Sequence, residues 1–505
     1  HLAVDESGRL LATASYDKTV RLWSLPDGRQ RAVLRPPIGT LQEGELYAVA
    51  VSPDGSRVFA AGATGGQWDG TFSIYVFDAE HATLVGRLPG LPAPVNDLAV
   101  SADGTRLAAG LAQGGVRVWD AATGKPIFED QAYAGAVRSI ALDRAGRLFA
   151  AAADGKLRAY DPAGRKLAEA PPPSHLRPWG LALSPDGDLL AVTSETAGRD
   201  GKLRVDVVSA RTLAPVFTPD TSGLRGEGLL AVAWAGDAKG GVQLLAGGYA
   251  HAAGGYVIRR WSDFGLGGYT DLPAAHDTIR HILPLPGGGA AFAAEDPGWG
   301  RIGPDGRLLR RPTPLADLRP SREQRLAVSP DGTTIEFATD AGLQHFEVKA
   351  RTLAAANAPA AGLTAARTEA PGLALAGWRD SSAPRLNGRA LAMDAGEIAR
   401  SAAVLPDNSG VLLGTDTHLR LYGRDGRQTG AVDTPAAAWA VTVAAGGHVA
   451  VAALLDGSLR WYGLDGGLQE RAALFAPADG IRWVLFTPEG FFDHADRGGN
   501  ELVGV

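Results

Sequence analysis

Leu46–Gly62 reads LYAVAVSPDGSRVFAAG, two alternating apolar runs joined by Ser52-Pro53-Asp54-Gly55. Apolar residues at every second position mark a half-buried strand rather than a helix. Proline presets one dihedral, aspartate bonds its own local backbone and glycine supplies a positive φ, so the join is a tight turn. The stretch is a β-hairpin. The same signal recurs outward along the chain as SPDG at Ser184 and Ser329 and SADG at Ser101. Looser forms are DESG at Asp5, DRAG at Asp143, AGDA at Ala235, LPGG at Leu285, LPDN at Leu405, AAGG at Ala444 and TPEG at Thr487.

Counting one unmarked unit between Ser329 and Leu405, eleven intervals separate Asp5 from Thr487, a mean of about 44 residues. That is the period of a four-stranded propeller blade. A third strand closes most units, as in VRLW ending at Trp23, IYVFD at Asp78, VRVWD at Asp120, LRAYD at Asp161, VIRRW at Trp261, LRLYG at Gly423 and LRWYG at Gly463. An aromatic recurs at one place in these runs. Arginine takes an alternating place, which on a strand with one buried face is expected to be the wetter one. A more variable run such as GRQRAVL supplies the fourth strand. Glycine and proline interrupt any helical period, and GEIARSAAVL around Ile398 leads into a strand.

The fold class is therefore all-β, tandem β-propellers of about twelve four-stranded blades. One ring rarely exceeds eight blades. Residues 1–320 are expected to form an N-terminal propeller of about seven blades, and 321–505 a C-terminal propeller with about five recognisable blades. A six-plus-six split is the alternative, and phasing is least marked from Pro359 to Ala395.

The chain has 505 residues, 49 Lys and Arg against 55 Asp and Glu, and no cysteine. The mildly negative charge gives no basic face for nucleic acid. Without cysteine there is no thiolate nucleophile, disulfide or thiolate zinc site, and the compartment, cytoplasmic or periplasmic, is left open. No apolar run is long enough to span a bilayer as a helix. The chain opens at His1 directly in a strand-like LAVD, so an upstream segment is expected. Glycine and alanine abundance with a single methionine, Met393, points to a G+C-rich bacterial source.

No catalytic, cofactor or metal site is legible, and no cofactor is expected. His276 and His281 in HDTIRH lack the i, i+4 spacing of a helical zinc pair, no serine stands in a Gly-x-Ser-x-Gly elbow, and GGYAHAAGGY around His251 lacks the ending of a phosphate loop. Trp23, Trp119, Trp261 and Trp461 recur with the repeat and are expected to pack between blades. Trp68, Trp299 and Trp378 fall off the repeat, in longer loops, and are the candidates for a partner surface. Arg310, Arg311, Arg319 and Arg322 cluster near the expected junction, where a solvated linker accounts for them.

SYDKTVRLW at Ser15–Trp23 and GGVRVWDAATGK at Gly114–Lys125 resemble bacterial WD repeats. RPPIG from Arg35, LPGLP from Leu88, FTPDTSGL from Phe217, LNGRAL from Leu386, LLGTD from Leu412 and the terminal RWVLFTPEGFFDHADRGGNELVG extend the likeness. Together they resemble the WD40-repeat region of bacterial caspase-family, metacaspase-like proteins. That resemblance implies that acidic residues at turns and third-strand ends, here Asp17, Asp120, Asp154 and Asp456, tie turns to neighbouring strands. It also implies that the terminal stretch leads towards a caspase-like domain with a His and Cys pair, which this chain cannot itself supply. The expected role is a non-catalytic scaffold for protein binding, sensing or regulation, its partner a caspase-like protease in cis beyond Val505 or in trans, with neither nucleic acid nor membrane bound. A metal-dependent propeller enzyme of the lactonase or quinoprotein type, and a subunit or cleavage target of a larger assembly, are the alternatives.

Overall fold

At each SPDG motif the serine hydroxyl donates to the aspartate, as in Ser52 Oγ to Asp54 Oδ1 at 2.5 Å, and the carboxylate also accepts the Ser56 N–H at 3.0 Å. Gly55 sits at φ 73°, a left-handed conformation that a Cβ disfavours. The turn therefore reverses the chain, and alternating strands pair on either side of it.

The computed structural model of the chain describes residues 1–499 except 17, 26, 38, 40–41, 197–200, 253–254, 276, 296–297, 312–315, 323–324, 395–396 and 498, with backbone alone at 298, 310 and 311. Asp17 and His276 lie outside the described residues, as do the side chains of Arg310 and Arg311. The chain divides into two compact units, His1–Arg311 and Pro312–Val505, so the division falls before Pro312 rather than after Pro320.

The first unit is seven antiparallel sheets of four consecutive strands each. These blades span Leu2–Leu34, Glu45–Leu91, Val95–Asp130, Val137–Ala170, Pro178–Phe217, Arg225–Ala275 and Ile279–Arg311. Their innermost strands neighbour one another in cyclic order, and Leu2–Val4 of the first blade meets Ile279–Pro284 of the seventh, closing a ring. Among the described residues no strand is exchanged between the first and last blades. Packing closes the ring instead, with Leu2, Leu11, Trp23 and Leu25 set against Ala291 and Trp299.

The repeated aromatics are buried between neighbouring sheets: Trp23, Trp119, Trp261 and Trp461 are each at most 7% exposed. The alternating arginines divide, which corrects the expectation from the pattern: Arg21, Arg117 and Arg460 are half-buried, whereas Arg158, Arg259 and Arg420 are buried, each against a carboxylate. In three blades a carboxylate stands directly opposite the arginine on the fourth strand: Glu129 faces Arg117, Glu169 faces Arg158 and Asp271 faces Arg259. A buried guanidinium persists only when paired and hydrogen-bonded, and alternation cannot reveal the partner across the strand.

Among the described residues the second unit holds four sheets rather than about five four-stranded blades. Sheet 8 is Leu326–Ala356 joined by Thr364–Ala365. Sheet 9 has three strands of two residues each within Leu375–Ala390, sheet 10 is Ala399–Asp433, and sheet 11 is Ala438–His494 with six strands. Two causes account for the difference. The TPEG turn joins Val484–Phe486 to Phe492–His494 as a hairpin that extends sheet 11 instead of starting a new blade. The unmarked unit is sheet 9, whose strands are too short to show alternation. Sheet 8 packs on sheet 11 through Phe337, Phe346 and Trp461, sheet 11 on sheet 10 through Val441 and Tyr462, and sheet 10 on sheet 9 through Leu386 and Leu391.

Candidate functional site

The innermost strand of eight sheets carries a β-bulge near its start. In the first unit the ladder skips Tyr47, Asn96, Arg138, Leu230 and Arg280 in blades 2, 3, 4, 6 and 7. In blade 5, Trp179 and Gly180 stand opposite Thr193 alone. Arg400 and Trp439 hold the same place in sheets 10 and 11. A bulge re-aims one side chain without disturbing the alternation that follows, so core packing below is preserved while Tyr47, Asn96, Arg138, Trp179 and Arg280 are offered half-buried at the blade's end; Leu230 of blade 6 is buried instead. Gly180 is required there, because a Cβ would come within 2.5 Å of the Leu230 carbonyl oxygen in blade 6.

Two clusters result in the first unit. The Arg138 guanidinium lies 4.4 Å from the centroid of the Trp179 ring, with Glu195 Oε1 4.0 Å from Arg138 Nη2. In the seventh blade, Arg280 donates to Glu295 of the same blade at 2.7 Å and to the Tyr249 hydroxyl of the sixth at 3.2 Å. Tyr47 donates to Glu45 at 2.9 Å, and the rings of Tyr16 and Tyr47 are 5.3 Å apart. Burial pushes the Tyr16, Tyr47 and Tyr249 hydroxyls above their ordinary pKa, so they remain neutral donors at neutral pH. Burial disfavours the charge on Arg280, but Glu295 and the tyrosines more than restore it. The face combines aromatic surfaces, guanidinium donors and hydroxyls, the chemistry that dominates protein–protein hot spots.

Trp68 stands at this same end of its blade, on a helix of four residues, Gly66–Asp69, and is 54% exposed. The buried Glu43 carboxylate accepts the N–H groups of Gly65 and Gln67 at 2.5 and 3.1 Å and so fixes that helix. Trp378 is half-buried against sheets 9 and 10, with the Arg379 guanidinium 5.4 Å from its ring. Trp299 is not in a loop: it lies in the third strand of blade 7, is 7% exposed and packs 5.6 Å from Trp23 at the ring closure. It is a closure residue rather than a partner surface. Its flanking Gly298 and Gly300 hid the strand from an alternation reading.

Asp120 accepts Thr123 N–H and hydroxyl at 2.8 and 2.7 Å, tying its own hairpin turn. Asp154 holds Arg158 at 2.7 Å, and Asp456 holds Ser458 Oγ at 2.6 Å. His281 is half-buried, stacked 4.1 Å from His1, and desolvation holds its pKa well below the ordinary value, leaving it a neutral acceptor of the Leu2 N–H.

Sequence reasoning missed one further cluster. Asp394, Glu397 and His418 come close enough to share an ion. Arg420 already stands among them: it donates to Glu397 Oε1 and Oε2 at 2.9 and 2.6 Å and to Asp394 Oδ2 at 2.7 Å, while Thr415 donates to Glu397 at 2.5 Å. The lone pairs that a dication would need are committed to an arginine. The donor set is that of a buried ion-pair network.

The fold and this end-face ring define a repeat-built propeller. Residues 1–24 and 82–120 match the family model described as WD domain, G-beta repeat, so the chain carries WD40 repeats. It is 31% identical over 159 residues to WD repeat-containing protein SL1-17 of Schistosoma mansoni, covering 31% of this chain and 48% of that protein. It is 32% identical over 122 residues to Transcription factor unc-37 of Caenorhabditis elegans, covering 24% and 18%. It is 29% identical over 174 residues to Transducin beta-like protein 3 of Bos taurus, covering 32% and 21%. The chain thus spans about half or less of the length of these curated relatives.

Proposed function

We propose that the chain is a protein-docking scaffold that engages its partner at the bulge-bearing end of the first unit. The repetition of the bulge carries the reading: blade after blade breaks its ladder at one place and presents Tyr47, Arg138, Trp179 or Arg280 there. A structural role alone would not need a side chain of such varied chemistry at each break. A photo-crosslinking residue placed at Tyr47 or Trp179 in the cell of origin should yield a discrete adduct. The same residue at Leu167, on an outer strand, should not. Equal labelling at both places would remove this face from consideration.

The finer reading, a caspase-like protease as the regulated partner in cis or in trans, rests on the likeness of FTPEGFFDHADRGG and the preceding motifs to that family's WD-repeat region. Mass spectrometry of the Trp179 adduct, or of the intact native polypeptide, tests it directly. An adduct lacking any such domain, with a polypeptide that has none, rejects it.

A further inference from the structure

In the second unit the same bulge position is already filled. The guanidinium groups of Arg400 and Arg322 lie 5.1 and 5.5 Å from the centroid of the Trp439 ring. Both also reach one carboxylate, that of Asp380: Arg400 Nη1 is 3.1 Å from Oδ1 and Arg322 Nη2 is 2.9 Å from Oδ2. The next residue, Ser381, forms an isolated antiparallel bridge with Ala399 at the start of the innermost strand of sheet 10, through N–H···O contacts of 2.9 and 3.3 Å. A short extended piece of this chain therefore sits as a bound peptide would, with its main chain on a strand edge and its acid between two guanidiniums over an indole.

That piece is lightly held. Its flanking strands are two residues long. The Asp380 side chain is 45% exposed, and Asp380 adopts φ 51°, a left-handed conformation unfavourable for a residue with a Cβ. The receiving side is more fully built and has donors to spare. Among the described residues, buried Trp439 Nε1 and Arg400 Nε have no hydrogen-bond partner. In the first unit the corresponding pair, Arg138 and Trp179, has a more distant carboxylate, Glu195 at 4.0 Å.

We propose that Arg322, Arg400 and Trp439 form a recognition site for an extended acidic peptide, and that Asp380 occupies it in cis as an internal competitor. The strand bridge selects a peptide over a small anion, since only a polypeptide can satisfy the Ala399 main chain as well as the two guanidiniums. A tethered competitor acts at high effective concentration, so the site answers only to a ligand that displaces it. The site lies in the second unit and does not depend on the docking face proposed above.

The probe is a fluorescent peptide copying residues 377–383, GWRDSSA, titrated by anisotropy against the full chain. Asp380→Ala should bind it at least tenfold more tightly than the unaltered chain. The gain should vanish when Arg400→Gln is added, or when the peptide's aspartate is replaced by asparagine. Should Asp380→Ala fail to fold by circular dichroism, Asp380→Asn, which keeps the side-chain shape, is read in its place. Equal affinity of altered and unaltered chains overturns the proposal, as does equal binding of the asparagine peptide or displacement of the probe by free acetate as readily as by unlabelled peptide.

Discussion

Glu397 shows at one residue how this chain tolerates charge inside a sheet. Its side chain is 2% exposed and that of Arg420 6%. Removing one partner strands the other in a medium that cannot solvate it, whereas removing both leaves only a packing defect. Glu397→Gln is therefore expected to lower stability by about 3 kcal/mol, towards the low end of the range for a broken buried pair because Asp394 still reaches Arg420. The double change Glu397→Gln with Arg420→Met should recover most of that loss. Urea unfolding of the three proteins measures it, and a double variant no better than the single would remove the pairing argument. Acid offers a second reading of the same group. Burial raises the Glu397 pKa, but hydrogen bonds from Arg420 and Thr415 outweigh it and hold the carboxyl below its ordinary value. A group whose pKa is lower when folded binds fewer protons in the native state, so its stabilisation is whole above the unfolded value and fades as pH falls through the folded one. Glu169, held at about 2 chiefly by hydrogen bonds from Lys156 and Lys166, behaves alike but is more exposed and contributes less. As pH falls below the ordinary carboxyl range, about 4.5, the unaltered chain should lose stability more steeply than Glu397→Gln, as thermal unfolding at successive pH values would record.

At the scale of an element, the bulges show what the amino-acid pattern could and could not disclose. The hairpin turns were legible because Ser52, Asp54 and Gly55 each perform a local task that only a few residue types can perform, and the strands because burial alternates with period two. Tyr47, Arg138 and Trp179 were not legible as a set. One extra residue in a seven-residue strand barely disturbs an alternation score, and a bulge is defined by the partner strand, which the chain supplies a dozen residues later. The buried arginines stayed hidden for the same reason: their carboxylates stand across a strand pair, not beside them in sequence. The bulge makes a sharp prediction about register. The ladder pairs Val137 with Ala152 and Ser139 with Ala151, neighbours on the partner strand, so deleting Arg138 removes only the extra residue and leaves both pairings in place. The deletion and Arg138→Ala should therefore lie within about 0.5 kcal/mol of each other in chemical denaturation. A deletion that costs about 2 kcal/mol more than the substitution, the scale of exposing the buried Val137, would show instead that the strand had slipped by one place.

For the molecule as a whole, the decisive feature is that, among the described residues, the seven-bladed ring is closed by packed side chains and one hydrogen bond from the Leu2 N–H to His281, with no exchanged strand. Rings of sheets leave edges wherever the first and last blades meet, and an edge held chiefly by packing concentrates the closure in a few large residues. Here these are Trp23 and Trp299, with Leu2, Leu11 and Leu25 around them. Trp23 also donates its indole N–H to the Thr13 hydroxyl at 3.0 Å. Since every residue of that closure lies before Pro312, residues 1–311 produced alone should fold and unfold in one cooperative transition, measured by calorimetry and circular dichroism. Within that fragment Trp23→Ala should destabilise by about 3–5 kcal/mol, the range for emptying a buried tryptophan site. Ile127→Ala, on an exposed outer strand, should stay within about 0.5 kcal/mol of the parent. A fragment that unfolds without cooperativity would show that closure draws on residues beyond Arg311. A Trp23→Ala effect no larger than that of Ile127→Ala would show that the ring is held by its inner strands, with the aromatic contact between the first and seventh blades a consequence of closure rather than its cause.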